Sequence, residues 1–122
     1  MFSAFKNAGS WLNSNTFLTF DGFLVDIGHT LDINTGTFTT PFNAYYEFSF
    51  FGYAEKDTEI EVQKNGSKMV SFKSSEKDHN NYGTTWQMKL IKGDQIRLKV
   101  RTGGIHSIST YYTIFSGKSI GF

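Results

Sequence analysis

The chain has 122 residues, 39% hydrophobic and 17% aromatic with 13 Phe, enough apolar mass for one domain with a sizeable core. Lys+Arg 12 against Asp+Glu 11 gives a formal net charge of +1, which argues against the concentrated basic footprint of a nucleic-acid binder. There is no cysteine, so no disulfide framework and no thiolate metal site, and no run approaches the ~18 apolar residues of a membrane span.

The opening Met-Phe-Ser-Ala-Phe-Lys lacks the basic-then-apolar pattern of a secretory signal, so the expectation is an intracellular protein or a mature domain. Residues 2–5 read as a short strand ending in a polar loop, 6–10, and residues 11–15 as a second loop, since Asn and Ser favour turns. Residues 17–20 are extended and stop at Asp21-Gly22, a strong turn pair. The next strand, 23–27, is expected to put Phe23, Val25 and Ile27 on one face and Asp26 on the other, and 29–34 reads as a short edge piece. Then comes the most aromatic segment, residues 36–51, with the only proline, Pro41. At period two, Tyr46, Phe48 and Phe50 point one way and Tyr45, Glu47, Ser49 and Phe51 the other. β-formers throughout make it a central strand, with Pro41 at the entrance, where a missing backbone donor costs little.

A charged loop at 55–57 leads to 58–63, where Ile60 and Val62 are expected inward and Glu59, Glu61 and Gln63 in solvent. Lys64-Asn65-Gly66-Ser67 is the strongest hairpin signal, because a type I′ turn needs positive φ at both centres. The strand returns over 69–72. Residues 73–82 have no periodicity and read as an exposed loop, of a length that is often mobile or functional. Trp86, Met88 and Leu90 take the core face of 84–90; after the Lys92-Gly93-Asp94 turn, Ile96, Leu98 and Val100 point inward and Arg97, Lys99 and Arg101 outward. Thr102-Gly103-Gly104 opens another loop, and 111–122 supplies the last strand. Eight to ten short strands parted by turn signals predict an antiparallel sandwich or jelly roll.

Catalytic chemistry finds little support. Glu59 and Glu61 would lie roughly 7 Å apart along a strand, a spacing a glycosidase pair allows, but on a simple solvent face without an aromatic platform. His29, His79 and His106 are scattered, with none of the His-x-His pairs of a metal-binding jelly roll. Nucleophile-elbow, P-loop and dinucleotide fingerprints are absent, so the expectation is no enzyme. Asn65-Gly66-Ser67 is formally a glycosylation sequon, although the turn alone explains it. Tyr45 and Phe51 exposed together would form an apolar patch, and their face is expected to be a subunit interface.

Gly36, Phe38, Pro41, Tyr46, Phe48 and Phe50 in one stretch, the Lys64-Asn65-Gly66 turn, the Leu90-Ile-Lys-Gly93-Asp94-Gln-Ile96-Arg-Leu98 hairpin, Phe115-Ser116-Gly117 and the opening Phe2-Ser3-Ala4 come in a telling order. Together they resemble the globular C1q domain, a jelly roll of the tumour-necrosis-factor superfamily. The chain departs from that pattern at Ala44, where the family has Gly, in the more polar Gly117-Lys118-Ser119-Ile120, and in having no collagen-like Gly-X-Y stalk.

The resemblance implies one all-β domain over 1–122, an antiparallel jelly-roll sandwich of two roughly five-stranded sheets. It implies a secreted homotrimer, joined through the sheet that holds the first, last, opening and 95–100 strands. Tyr45, Glu47, Ser49 and Phe51 would then form the interface, with Arg97 or Lys99 facing Glu47. Its implied role is non-enzymatic recognition of a glycan or protein surface, as in the pattern recognition of innate immunity, with no nucleic acid and no membrane span. Ligand contacts are expected from loops 73–82 and 102–109, with Lys73, Glu76, Asp78, His79, Asn80, Tyr82 and His106 as candidates. No cofactor is expected; some relatives bind calcium, but no acidic cluster here matches such a site. The alternatives are a cytokine-like ligand engaging a receptor between subunits, or a trimeric structural cap.

Overall fold

Thirteen strands and no helix are found among the residues that the computed structural model describes, 1–74, 80–107 and 113–122. They form two facing antiparallel sheets. One contains β2 (Ser10–Asn13), β12 (Gly104–Ser107), β7 (Ala44–Ala54), β13 (Ile114–Gly121), β1 (Phe2–Phe5) and β4 (Gly22–Asp26) in that order, with β10 (Asn80–Leu90) along the other side of β7. The second runs β5 (Leu31–Asp32), β6 (Thr37–Thr39), β11 (Gln95–Thr102), β8 (Glu59–Lys64), β9 (Ser67–Lys73), and β3 (Thr16–Phe17) also pairs with β11.

The period-two alternation builds the core directly. Tyr46, Phe48 and Phe50 of β7 face Ile96, Leu98 and Val100 of β11 and Ile60 and Val62 of β8, all buried. Phe48 is the hub: its ring centroid lies 5.3 Å from Phe38, 5.7 Å from Trp86 and 5.9 Å from Phe115. Each such ring, fully buried, is worth about 1.5–3 kcal/mol against exposure.

Residues 36–51 prove to be two strands in different sheets. β6 belongs with β11, β7 with β10 and β13, and the chain crosses between them around Pro41. A residue without an N–H suits that corner, where no ladder continues. The hydroxyl of Thr40 donates to the Asp94 carbonyl (2.9 Å) and ties the crossing to the turn before β11. It follows that 95–100 does not share a sheet with the first, last and aromatic strands, which corrects the expected arrangement.

Four further expectations are corrected. Residues 11–13, read as loop, belong to β2 and pair with β12, Trp11 opposite His106. β12 itself occupies much of what was read as the 102–109 loop. The stretch 73–82 contracts, since β9 runs to Lys73 and β10 starts at Asn80. In β4 a bulge at Leu24 sets Ser3 opposite Val25 but Ala4 opposite Phe23, so Phe23 packs on the core while Val25 turns outward. Ile27 lies past the strand end and is exposed.

The hairpin forms as expected, with Asn65 at φ 53° and Gly66 at φ 85°. Asn65 does more than turn the chain. Its Oδ1 accepts from the Gln95 amide (2.8 Å) and its Nδ2 donates to Asp94 (3.0 Å), clamping two turns together. The Asn65 side chain, followed by the Ile91 backbone amide, holds the Asp94 carboxyl below the usual aspartate range.

Candidate interaction face

With the even positions of β7 committed to the core, Tyr45, Glu47, Ser49 and Phe51 stand on the outer face of its sheet, as the alternation predicts. The register supplies their neighbours. Ser49 lies between Thr85 of β10 and Ser116 of β13, and Glu47 between Gln87 and Lys118. The hydroxyls of Ser3 and Ser116 are 2.9 Å apart. The middle of the face is therefore polar. Its ends are aromatic: Tyr45 is 44% exposed and Phe51 58%. Gly83 sits opposite Phe51, and a Cβ there would fall 2.4 Å from the ring, so the glycine lets Phe51 lie across β10. A depression of about 280 Å³ runs between these groups, lined by Ser3, Val25, Glu47, Phe51, Thr85 and Lys118 among others. Glu47 and Lys118 are cross-strand neighbours, yet among the described residues neither has an ion-pair partner within 4.0 Å.

Arg97 and Lys99, expected beside Glu47, stand on the outer face of the other sheet. The Pro41 crossing separates the two sets. Arg97 covers the Phe17 ring at 3.7 Å and donates to the Thr35 carbonyl (2.7 Å); Lys99 lies 5.4 Å from the same ring. Beside them Arg101 reaches Glu61 at 3.3 Å and Glu59 at 3.8 Å. Glu61, expected in solvent, is only 5% exposed and also accepts from Gln63 (2.7 Å), so it is an ion-paired structural carboxylate rather than half of an acid–base pair.

Of the loop candidates, Lys73 is exposed at the end of β9. Glu76, Asp78 and His79, and the side chains of Asn80 and His106, lie outside the described residues. Tyr82, expected in an exposed loop, is a core residue, 7% exposed and packed at 6.1 Å from Phe50 and 5.5 Å from Phe72. Its hydroxyl donates to the Phe72 carbonyl, and burial pushes its pKa up. His29 bonds Asp26 at 2.9 Å. Among the described residues no group of three or more His, Asp and Glu could hold a metal ion, so no calcium ligand set can be assigned from them.

Residues 1–118 match the family model of the C1q domain. The chain belongs to the C1q domain family. Complement C1q tumor necrosis factor-related protein 3 of Homo sapiens is 28% identical over 110 residues, covering 86% of this chain and 45% of that protein. Caprin-2 of Danio rerio is 29% identical over 105 residues, 82% of this chain and 12% of its own. The chain thus spans less than half the length of these curated relatives. Among solved structures, the globular domain of zebrafish complement 1qA aligns with TM-score 0.78 at 20% identity, over 98% of this chain and 95% of that one. Eiger TNF from S. frugiperda aligns with TM-score 0.68 at 13% identity, over 98% and 93%. These likenesses show the jelly-roll fold expected from the sequence.

In this C1q domain the face around β7 contains residues that the sequence reading missed. Ser3, Val25, Thr85 and Lys118 all line it. A period-two count along β13 from the buried Phe115 would have placed Ser116 and Lys118 outward. Val25 carried no such signal, because only the bulge at Leu24 turns it.

Proposed function

We propose that this C1q domain is a non-enzymatic recognition module, working as a homotrimer assembled through the outer face of the β7 sheet. One observation supports it above the others: Tyr45 and Phe51 stay exposed on either side of a polar centre whose opposite charges, Glu47 and Lys118, lack ion-pair partners among the described residues. A face that carries both signs of charge side by side can meet the next copy head to tail around a threefold axis, the Glu47 side of one subunit against the Lys118 side of another. Closing a ring of such heterologous contacts buries every copy of the patch. Burial of the rings supplies the driving force, at about 25 cal/mol per Å² of apolar surface. Glu47 of one subunit and Lys118 of the next set the register.

In this reading the protein is secreted and meets its partner, a glycan or a protein surface, through the exposed edges that the assembled face leaves free. Lys73, exposed at the end of β9, marks one such edge. It needs no catalytic group. Analytical ultracentrifugation at micromolar concentration tests the assembly: a mass of three chains is expected, and a monomer overturns the reading. A glycan array with and without calcium, run beside a cell-surface receptor screen, separates pattern recognition from the cytokine-like alternative.

A further inference from the structure

Two depressions meet at the Pro41 corner. The first is a largely apolar cavity of about 250 Å³, walled by Ile27, Phe38, Phe42 and Tyr46 with Lys118 and Ser119 of β13. The second is an open groove of about 710 Å³ along β5 and β6, walled by Asp32, Thr35, Thr37, Thr39, Lys92 and Gln95. Gly28, Thr30 and Pro41 line both, so cavity and groove share a seam.

The chemistry changes sharply across that seam. On the cavity side Tyr46 donates its hydroxyl to the Phe42 carbonyl (2.7 Å), which leaves its ring as wall; Lys118, at the β13 rim, is the charged side chain of a lining that holds no carboxylate. Ser119 pairs with the buried Tyr46, yet is itself exposed, because so short a side chain does not cover the mouth. On the groove side hydroxyls predominate, with one carboxylate, Asp32, and one ammonium, Lys92, so there is no excess charge to select an ion. At the seam Thr30 Oγ1 is buried and has no hydrogen-bond partner among the described residues, a position that costs about 1–3 kcal/mol unless something bonds it.

We infer that this seam binds an amphipathic sugar: a glycoside whose short alkyl arm enters the Phe38–Phe42–Tyr46 cavity while its ring lies in the threonine groove and bonds Thr30. A free sugar leaves the cavity unused; a free alcohol leaves the groove unused. Binding sites of this class combine an apolar pocket with a few placed polar groups in this way. The inference rests on the recognition reading for its ligand class; its cavity borders the proposed trimer face, with Gly117 and Lys118 lining both.

The test is an NMR titration of the full chain with n-hexyl β-D-glucopyranoside, methyl β-D-glucopyranoside and 1-hexanol. Hexyl glucoside is expected to shift the amides of Phe42, Tyr46, Ser119, Thr37 and Thr39. It should bind at least tenfold more tightly than methyl glucoside, because each methylene buried from water is worth roughly fourfold. Ser119→Leu, at an exposed position, closes the mouth and should cost hexyl glucoside at least tenfold while sparing methyl glucoside. Thr39→Val with Lys92→Ala should weaken both glucosides and leave hexanol unchanged. Equal affinity for hexanol and hexyl glucoside, shifts confined to other regions, or indifference to Ser119→Leu with its fold intact each overturn the inference. Sedimentation of the same samples reports the trimer separately, so failure of one reading is not mistaken for failure of the other.

Discussion

On the outer face of the β11 sheet, Arg101 is paired with Glu59 and Glu61 and Arg97 covers the Phe17 ring. On the outer face of the β7 sheet, Glu47 and Lys118 stand opposite each other without an ion pair within 4.0 Å among the described residues, and Tyr45 and Phe51 are open to solvent. Both faces come from the same alternation over the same core. The first has its arginines answered within the chain; the second carries two opposite charges without ion pairs and two exposed rings, of which Tyr45 has the Lys89 ammonium 5.8 Å from its centroid. The Arg101–Glu59 pair is partly exposed and individually modest, as such ion pairs are, whereas the Glu61 carboxylate is buried. What separates the faces is the clustering of unanswered groups, not the presence of any single exposed ring.

The largest effect should come from the core that both faces share. Phe48→Ala removes the ring that meets Phe38, Trp86 and Phe115, and urea unfolding should register a loss of about 3–5 kcal/mol with no preference for either sheet. Phe51→Asp separates the faces. It should weaken association by about 2 kcal/mol or more, seen as dissociation by sedimentation, while circular dichroism still reports the all-β fold. If the variant associates like the parent, the β7 face is not the interface. Arg101→Ala is the mirror experiment: Glu61, 5% exposed, loses its cation, so stability should drop by about 1–3 kcal/mol while the association state holds.

The smallest effect concerns neither face. The Asp94 carboxyl is held below its ordinary range, the Asn65 hydrogen bond first among the causes. Its contribution is therefore complete above the unfolded value of about 3.9 and is lost as pH falls through the lower folded value. Asp94→Asn should cost about 1 kcal/mol at neutral pH and flatten the acid end of the stability profile, measured by urea unfolding between about pH 6 and about pH 2.

Much of this was legible in the chain because a strand writes its two faces into alternate letters. Tyr45, Glu47, Ser49 and Phe51 could be assigned to one surface from period two alone, and Asn65-Gly66 to its turn from the φ values such turns demand. Which sheet a strand joins is not written there. The alternation is the same on both sides of Pro41, so nothing local shows that β7 has left the sheet that β6 and β11 share, and Arg97 and Lys99 were set beside Glu47 for that reason. β2 was hidden likewise: Trp11 pairs with His106, far along the chain, and Asn and Ser around it favour turns on local grounds. Tyr82 looked like loop chemistry until β10 carried it against Phe50 and Phe72. Glu61 alternated as a solvent residue but is covered by a side chain from β11.

The pairing of β1 with β13 sets Phe2 opposite Gly117 and Phe5 opposite Ile114, so the earliest strand waits for the latest. β13 also occupies one flank of β7 from Phe51 to Tyr45. During synthesis, β8 and β9 can close their hairpin as soon as they emerge, whereas β1 and that flank of β7 keep unpaired edges until almost the whole domain is out. Those open edges are templates for wrong partners, and the interval before β13 arrives is when a nascent chain is most exposed to them. Conditions that slow release of the last strand should therefore lower the yield of folded protein without changing the stability of what has folded.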